Sequence, residues 1–253
     1  VDHDPVYGVY KDTALDMEFW CSGLERLLCV DVTKAYNAAW AGGPPGVDQV
    51  ICIANSTKYG GAGYVTSNVA TVAAGIPQAV EVLTHELGHS LGDLADEYYT
   101  PGTFYAGPEP SERNVSTYDA PTMFANGQKW AAWLQHSNPM FGGTQSCYQG
   151  GQYFDHGMYR PTNDSLMRSL WQPFNCPSAE GILLEMYKEV SPIEAVTPAG
   201  TTAEPTDTLW VLALLPMEPS FEVRWELNGL PIPGSDNTPS VDLNTVGLLP
   251  GTN

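Results

Sequence analysis

The segment HELGHSLGDLAD at residues 85–96 decides the fold and the chemistry of this chain. Its two histidines, His85 and His89, are four residues apart and therefore lie on one face of a helix, because four residues advance by about 400°. Such a pair can bind one metal ion, and the intervening Glu86 can act on a water that the metal activates. The HExxH pattern thus predicts the zinc site of a metal-dependent hydrolase, most often a peptidase.

The sequence around the motif predicts the extent and the orientation of its helix. Pro77 can stand in the first turn, where a missing N–H costs nothing, and residues 78–83 contain no helix breaker. Apolar side chains recur at helical spacing on the face opposite the histidines. They are Val80, Leu83, Leu87 and Leu91. We expect this stripe to pack in the core while the other face presents the metal ligands.

The third metal ligand must come from beyond Gly92. A helix continued to Asp96 would place this carboxylate roughly 10 Å along the axis from His89, whereas zinc ligands lie about 2.0–2.2 Å from the ion. Glycine tolerates the left-handed conformation that ends helices, so Gly92 is predicted to turn the chain back. Asp96 is then the first residue beyond Gly92 that has a side chain able to bind a metal and leaves room for a turn. Glu97 is the alternative candidate for the third ligand.

More distant residues are further candidates for the third ligand. Glu109 and Glu112 follow within the next twenty residues, but Pro108 and Pro110 make that segment non-helical. The second-helix glutamate of the thermolysin arrangement is therefore not expected. His136 and His156 are also candidates in principle, although histidines outside a motif are more often surface or packed residues.

The composition of the chain excludes several classes of protein. The chain has 253 residues and a net charge of −19, from 10 basic and 29 acidic residues, which argues against a nucleic-acid partner. No run of 18 apolar residues predicts a transmembrane helix. Residues 1–5 resemble a processed start without a signal peptide. We expect a monomeric protein that is secreted, periplasmic or at the cell surface. A structural calcium ion is possible, but no sequence feature indicates one.

The five cysteines favour disulfides over a structural zinc site, because no CxxC pair is present. We expect the pairs Cys21–Cys29 and Cys147–Cys176. Cys52 lies within an apolar run and is expected to be a buried free thiol.

The order of predicted elements indicates an α/β or α+β domain. Strands are expected at residues 16–21, 50–55 and 63–69, and a helix within residues 24–41. With the HExxH helix, this order places the active helix beneath a twisted sheet. The glycine-rich residues 59–64 lack the pattern of a phosphate loop and predict a bulged or tightly bent edge beside the active cleft.

Residues beyond about 190 have a different character. A linker at residues 191–198 leads to strand-like runs at 208–214 and 221–227, and Asn228-Gly229 predicts a hairpin turn. Trp225 is typical of the core tryptophan of an immunoglobulin-like sandwich, a domain that needs about 100 residues. We therefore divide the chain into a catalytic domain at 1–190 and an incomplete immunoglobulin-like β module at 191–253.

Several separated segments together resemble one known family. They are residues 59–63, 84–90, 94–98, 150–154, 157–161 and 165–169. In this order they resemble the IgA-peptidase family of metzincin-type metallopeptidases, over roughly residues 12–188. The resemblance implies zinc-dependent endopeptidase activity and a metzincin-like fold with its cleft between two subdomains. Metzincins carry a histidine ligand where this chain has Ala95, so the ligand must shift, most plausibly to Asp96. The resemblance also places Met167 in the methionine turn beneath the zinc site.

These observations predict a zinc endopeptidase that acts on protein or glycoprotein substrates. Glu86 would accept a proton from the attacking water and pass it to the leaving amine. Tyr159 and Arg160 are candidate donors to the developing charge, and Glu97 could anchor a histidine N–H. Two alternatives stay open: an inactive peptidase-fold binding or adhesion protein, and a carbohydrate-binding surface protein.

Overall fold

The computed structural model describes residues 12–42, 46–200, 202–213 and 222–247. The chain divides into two compact units, Val1–Met186 and Tyr187–Asn253, and each unit has its own sheets. The helices are α1 (Val32–Gly42), α2 (Ala79–Ser90), α3 (Ala120–Asn126) and α4 (Cys176–Glu189). None of the helices in the described part of the chain is long and apolar enough to span a bilayer.

The strands are short and belong to several small sheets. Those of the first unit are β1 (Val50–Ala54), β2 (Gly61–Tyr64), β3 (Val69–Ala73), β4 (Tyr99–Phe104), β5 (Ser137–Asn138), β6 (Gly143–Thr144), β7 (Tyr148–Gly151) and β8 (Tyr153–Arg160). Those of the second unit are β9 (Ile193–Val196), β10 (Thr208–Ala213), β11 (Glu226–Leu227), β12 (Leu230–Pro231) and β13 (Ser240–Asp242). The chain is therefore a mixed α/β protein with small sheets.

The sheet next to the HExxH helix has the strand order β1-β3-β2. β1 runs parallel to β3, and β2 runs antiparallel to it. β3 is buried along its whole length, because side chains of α1 and α2 cover it from two faces. Ala35 of α1 joins the cluster that contains Val69, and Val82 of α2 joins the cluster that contains Val72. The helix that carries the HExxH motif thus packs against a sheet, as predicted.

The glycine-rich segment is a regular edge strand and not the predicted bulge. β2 pairs with β3 in continuous register. Its glycines are needed because α2 lies very close. A Cβ atom on Gly63 would stand 2.5 Å from the carbonyl oxygen of Glu86, and one on Gly61 would stand 2.8 Å from Cγ1 of Val82. The predicted strand at residues 63–69 is also wrong, since residues 65–67 form a short 3-10 helix between β2 and β3.

α2 is enclosed on more sides than its apolar stripe predicts. Val80 is 74% exposed, whereas the buried residues of the helix are Val82, Glu86, Gly88 and Ser90. The sheet covers one side, and Met167 and Phe174 lie against Gly88 on another. Small and polar residues are buried because neighbouring segments approach the helix closely from two directions.

The remaining predictions for the first unit have mixed outcomes. The predicted helix within residues 24–41 is α1, and it begins only at Val32. Residues 16–21 form a single bridge, from Glu18 to Cys29, instead of a strand. The disulfide Cys21–Cys29 is present, and Cys52 is a buried free thiol. The predicted pair Cys147–Cys176 is wrong, since both are free thiols and Sγ of Cys147 lies 4.0 Å from Sδ of Met123.

A second sheet of the first unit, with the order β4-β8-β7, follows the site along the chain. β4 runs parallel to β8, and β7 runs antiparallel to it. Ala95, Val115 and Met158 form the buried cluster of this region. This sheet carries Tyr153, the first residue of β8, to the site described below.

The second unit holds a three-stranded antiparallel sheet with the order β13-β10-β9 and the hairpin β11-β12. Asn228 and Gly229 form the predicted turn, with φ values of 52° and 78°, because both residue types accept the left-handed region. Of the predicted strand at 221–227, only Glu226–Leu227 is a strand. Leu214, Phe221 and the predicted processed start at residues 1–5 lie outside the described residues.

Candidate metal centre

His85 and His89 point their Nε2 atoms at the same small volume. They lie one helical turn apart on α2, and the two Nε2 atoms are 3.2 Å from each other. Oδ1 of Asp96 lies 3.1 Å from Nε2 of His85 and 3.3 Å from Nε2 of His89. These three residues are the group in the described part of the chain that could hold a metal ion.

A sharp reversal after α2 brings Asp96 back to the histidines. The residue in the left-handed conformation is Asp93, with φ of 50°, so the prediction that Gly92 adopts it is wrong. Gly92 is required for space instead. A Cβ atom there would stand 2.6 Å from Cγ1 of Ile182 and 2.8 Å from the carbonyl oxygen of Gly88. The backbone N–H of Leu94 donates to that same carbonyl and completes the reversal.

Both histidines are oriented by main-chain carbonyl oxygens. Nδ1 of His85 lies 2.9 Å from the carbonyl oxygen of Leu166, and Nδ1 of His89 lies 2.6 Å from that of Leu94. A carbonyl oxygen can only accept a hydrogen bond, so each Nδ1 carries a hydrogen. Each Nε2 then points towards the other histidine and Asp96. The expectation that Glu97 anchors a histidine N–H is therefore wrong.

The Asp96 side chain divides its two oxygens between different partners. Oδ2 accepts hydrogen bonds from Tyr98 Oη at 2.8 Å and from Tyr153 Oη. Oδ1 is buried, faces the histidines and accepts no hydrogen bond from the described residues. Sequence reasoning missed both tyrosines. Tyr98 is only two residues from Asp96, but Tyr153 is 57 residues away, and neither residue type nor spacing distinguishes it from the other tyrosines.

The charges at this centre stabilise one another. Burial alone raises the pKa of Asp96, but the neighbouring imidazoles of His85 and His89 outweigh this effect and hold that pKa well below its usual range. Burial lowers the pKa of His89, and Asp96 overcomes this effect and raises it to about 9. Asp96 is consequently an ionised carboxylate that attracts a cation or a proton to the Nε2 atoms.

Glu97 is turned away into a separate buried network. Its side chain is fully buried. Oε2 accepts from Ser165 Oγ at 2.7 Å, and Oε1 accepts from Nδ2 of Asn175 at 2.8 Å and from Nδ2 of Asn114 at 3.0 Å. Burial raises the pKa of Glu97 against the effect of these donors. Both oxygens already have partners, so Asp96 is the carboxylate that meets the histidines.

Glu86 lines a pocket directly beside the histidine pair. The pocket has a cavity volume of about 210 Å³ and is lined by Arg26, Tyr59, Gly61, Val82, His85, Glu86, Tyr98, Leu166, Arg168 and Leu170. Glu86 is 6% exposed, and burial raises its pKa, opposed by the neighbouring histidines. A carboxyl group with a raised pKa next to a cluster of candidate metal ligands is suited to accept and return a proton.

Met167 lies beneath α2 and makes no polar contact with the histidines. It is fully buried, and a Cβ atom on Gly88 would stand 2.5 Å from its Sδ. Its carbonyl oxygen accepts from the backbone N–H of Glu97 at 2.7 Å, and the carbonyl of the preceding Leu166 orients His85. The methionine segment thus supports both the helix and the chain that carries Asp96.

The other predicted site residues have different roles in the structure. Arg160 is buried, and its guanidinium donates to the carbonyl oxygens of Gln149, Gly150 and Asn163. Tyr159 pairs through its main chain with Ser116. The further candidate ligands are held elsewhere: Glu109 by Thr117 and Lys129, Glu112 by Gln152, His136 against Trp133, and His156 against Gln149. None of them belongs to the cluster around Asp96.

The fold and the centre together define a class of protein: a mixed α/β protein with a helix-borne histidine pair, a buried carboxylate and an adjacent glutamate. Comparison with known families identifies the chain further. The sequence model of the family described as IgA Peptidase M64 matches residues 1–144, which is more than half of the chain. The chain belongs to this peptidase family. The matched range contains His85, Glu86, His89 and Asp96. No curated protein sequence matches the chain.

Proposed function

We propose that this chain is a zinc-dependent endopeptidase in which His85, His89 and Asp96 hold the ion and Glu86 is the general base. The observation that carries the proposal is the convergence of two Nε2 atoms and one carboxylate oxygen, all within 4.8 Å of one another, beside a glutamate that lines a pocket. Membership in a peptidase family supports the reaction class.

The three donor atoms fit a zinc ion in spacing and in chemistry. Ligand atoms about 2.0–2.1 Å from a tetrahedral zinc lie roughly 3.3 Å apart, and the three distances here are 3.1, 3.2 and 3.3 Å. The buried Asp96 Oδ1 without a donor is costly unless a cation or proton satisfies it. Zinc binds neutral imidazoles, so a zinc ion would displace any proton held between the Nε2 atoms and Asp96.

The chain's own residues account for the proton transfers of peptide hydrolysis. A zinc ion at the site would supply a Lewis acid that polarises the scissile carbonyl and activates water. Glu86 takes the proton from the attacking water and delivers it to the nitrogen of the leaving amine. Its position between His85 and His89 on α2 places the carboxylate on the same side as the metal ligands.

The edge of the β1-β3-β2 sheet is the place we propose for an extended substrate chain. β2 is the last strand in the order of that sheet. Its outer side is already bonded at Gly61, whose N–H donates to the carbonyl oxygen of Arg26 and whose carbonyl accepts from the N–H of Leu28. A peptide would therefore pair beyond Gly61, where Gly63 packs directly on α2. A peptide added to such an edge gains main-chain hydrogen bonds regardless of its side chains. This arrangement suits protein or glycoprotein substrates. The family name mentions IgA, but membership in the family does not show that this chain cleaves immunoglobulin.

We extend the proposal to the fold of the two parts of the chain. We infer a metzincin-like catalytic domain at residues 1–190, with Met167 in its methionine turn. The position of the Met167 side chain against Gly88 supports this assignment. We infer an immunoglobulin-like module at residues 191–253, supported by the antiparallel pairings of β9, β10 and β13. We further propose a monomer that acts outside the cytoplasm.

Replacement of Glu86 by Gln tests the mechanism. Loss of a general base lowers turnover by about 10²–10⁴-fold, and the amide keeps the shape of the side chain. We expect the Glu86→Gln variant to retain about one zinc per chain, measured by elemental analysis, and to lose cleavage of a denatured protein substrate. Glu25→Gln, at an exposed glutamate, is the matched control and should cleave at the parent rate.

Two results would overturn the proposed function. The first is parent-like cleavage by Glu86→Gln. The second is a zinc-loaded parent protein that cleaves no protein or peptide substrate, which would favour an inactive peptidase fold that binds its targets.

A further inference from the structure

Two arginines line the pocket that contains Glu86 and His85. Arg26 comes from the segment before α1, and Arg168 follows the buried Met167. The whole chain has only 10 basic residues against 29 acidic ones, and Glu86 is the single acidic residue among the ten that line this pocket. The cavity next to the proposed reacting centre is therefore locally basic in a strongly acidic protein.

Both guanidinium groups are held by uncharged partners. Arg26 donates to Tyr98 Oη at 2.9 Å. Arg168 donates to the carbonyl oxygen of Asn163 and lies 5.5 Å from the centroid of the Tyr99 ring. In the part of the chain that the structure describes, neither forms an ion pair with a carboxylate. A guanidinium has five N–H donors, so each keeps donors for a further acceptor.

The charges around the pocket favour an anion over a cation. Arg26 and Arg168 contribute two positive charges, and Glu86 contributes at most one negative charge. Oδ1 of Asp96 faces the histidines, and its Oδ2 is linked to Arg26 through the Tyr98 hydroxyl. A divalent ion at the proposed centre would add to the positive balance. Arginine pairs with carboxylates through parallel N–H donors, and such bonds are stronger than neutral ones.

We propose that this pocket binds the acidic side chain of a substrate residue, Asp or Glu, next to the scissile bond, and that Arg26 and Arg168 are the specificity-determining residues. This inference rests on the proposed peptidase function and narrows its substrate class. A purely structural role of the two arginines, in packing against Tyr98 and Tyr99, would leave cleavage indifferent to substrate charge.

The test uses the full zinc-loaded chain and peptides that are blocked at both ends. Each series varies one residue on either side of the cleaved bond between Glu, Gln and Lys. The readout is the ratio of kcat/KM for the Glu peptide to that for the Gln peptide, because any effect of a substitution on folding cancels in the ratio. A charge-assisted hydrogen bond in place of a neutral one predicts a ratio of about ten or more.

Arginine substitutions then assign the preference to the pocket. Arg168→Gln and Arg26→Gln should each lower the Glu-to-Gln ratio several-fold, the double variant should bring it close to one, and Arg168→Lys should keep part of it. Arg224→Gln is the matched control, since Arg224 is an exposed arginine of the second unit. The ratio of the parent should also fall at high ionic strength, because part of the pocket is open to solvent.

The outcomes separate this inference from the proposed function. If peptides are cleaved but the parent ratio is near one at both positions, or survives in the double variant, this pocket does not bind an acidic substrate side chain and the peptidase proposal stands. If the zinc-loaded parent cleaves none of the peptides and no protein, both proposals fall.

Discussion

Glu97 and Asp96 are adjacent carboxylates with opposite surroundings, and paired substitutions at Glu97 test this difference. Glu97→Ala removes the acceptor of the hydrogen bonds from Ser165, Asn114 and Asn175. Glu97→Gln keeps the shape of the side chain. It also keeps one oxygen for the two asparagine amides and places an amide group beside the Ser165 hydroxyl, which can rotate to accept.

The expected magnitudes follow from these contacts. Glu97, Ser165, Asn114 and Asn175 are all fully buried, so donors deprived of their acceptor gain little from water. Each unsatisfied buried donor costs about 1–3 kcal/mol, and three of them predict a loss of at least about 3 kcal/mol for Glu97→Ala. We expect Glu97→Gln to stay within about 1 kcal/mol of the parent, because the network keeps its partners.

The free energy of unfolding is measured by urea titration with tryptophan fluorescence, in the presence of a chelator so that metal binding does not contribute. Zinc content is measured in parallel on protein purified without chelator. Glu25→Ala is the control, because Glu25 is 61% exposed in its pair with Lys58 and such pairs contribute about 0–1 kcal/mol.

Either of two results would contradict these expectations. Equal stability of Glu97→Ala and the parent would mean that the network contributes nothing. Loss of zinc from Glu97→Gln, with retention of zinc by Asp96→Asn, would make Glu97 the ligand and contradict the separation of the two carboxylates.

Two further predictions concern the support of the centre. Tyr153→Phe removes one hydrogen bond to Asp96 Oδ2 and should weaken zinc binding by about 10–100-fold in a chelator competition assay, and unchanged affinity would contradict its role in holding the carboxylate. Gly88→Ala should destabilise the first unit by about 1–3 kcal/mol through overpacking against the buried Met167, whereas Gly42→Ala, which meets nothing within 4 Å, should be nearly neutral in the same urea titration. Equal effects of the two glycine substitutions would show that close packing does not restrict position 88.

Local geometry explains the part of the site that could be predicted. The spacing of His85 and His89 places both on one helical face, whatever surrounds the helix. The need for a reversal before Asp96 follows from the rise of a helix, and the structure brings Asp96 to the histidine pair. The Asn228-Gly229 turn was predictable for the same reason, because it depends on the φ values of two neighbouring residues.

Burial within the fold was harder to predict, because apolar periodicity reports only one packed face. Val80 belongs to the apolar stripe of α2 and is exposed, while Gly88 and Ser90 are buried. The glycines of β2 and Gly92 were interpreted as bends or left-handed residues. In the structure, Gly61, Gly63 and Gly92 give space to a neighbouring segment, and a sequence shows neither the segment nor its distance.

The sequence by itself determined the histidine pair, the glutamate between them and the break that follows, because these depend on helical geometry over a few residues. The tertiary structure alone decided which carboxylate faces the histidines. Asp96 receives Tyr153 from 57 residues away, and Glu97 receives Ser165 and Asn175 from 68 and 78 residues away. Two adjacent acidic residues are equivalent until distant donors satisfy one of them and leave an oxygen of the other free for a cation.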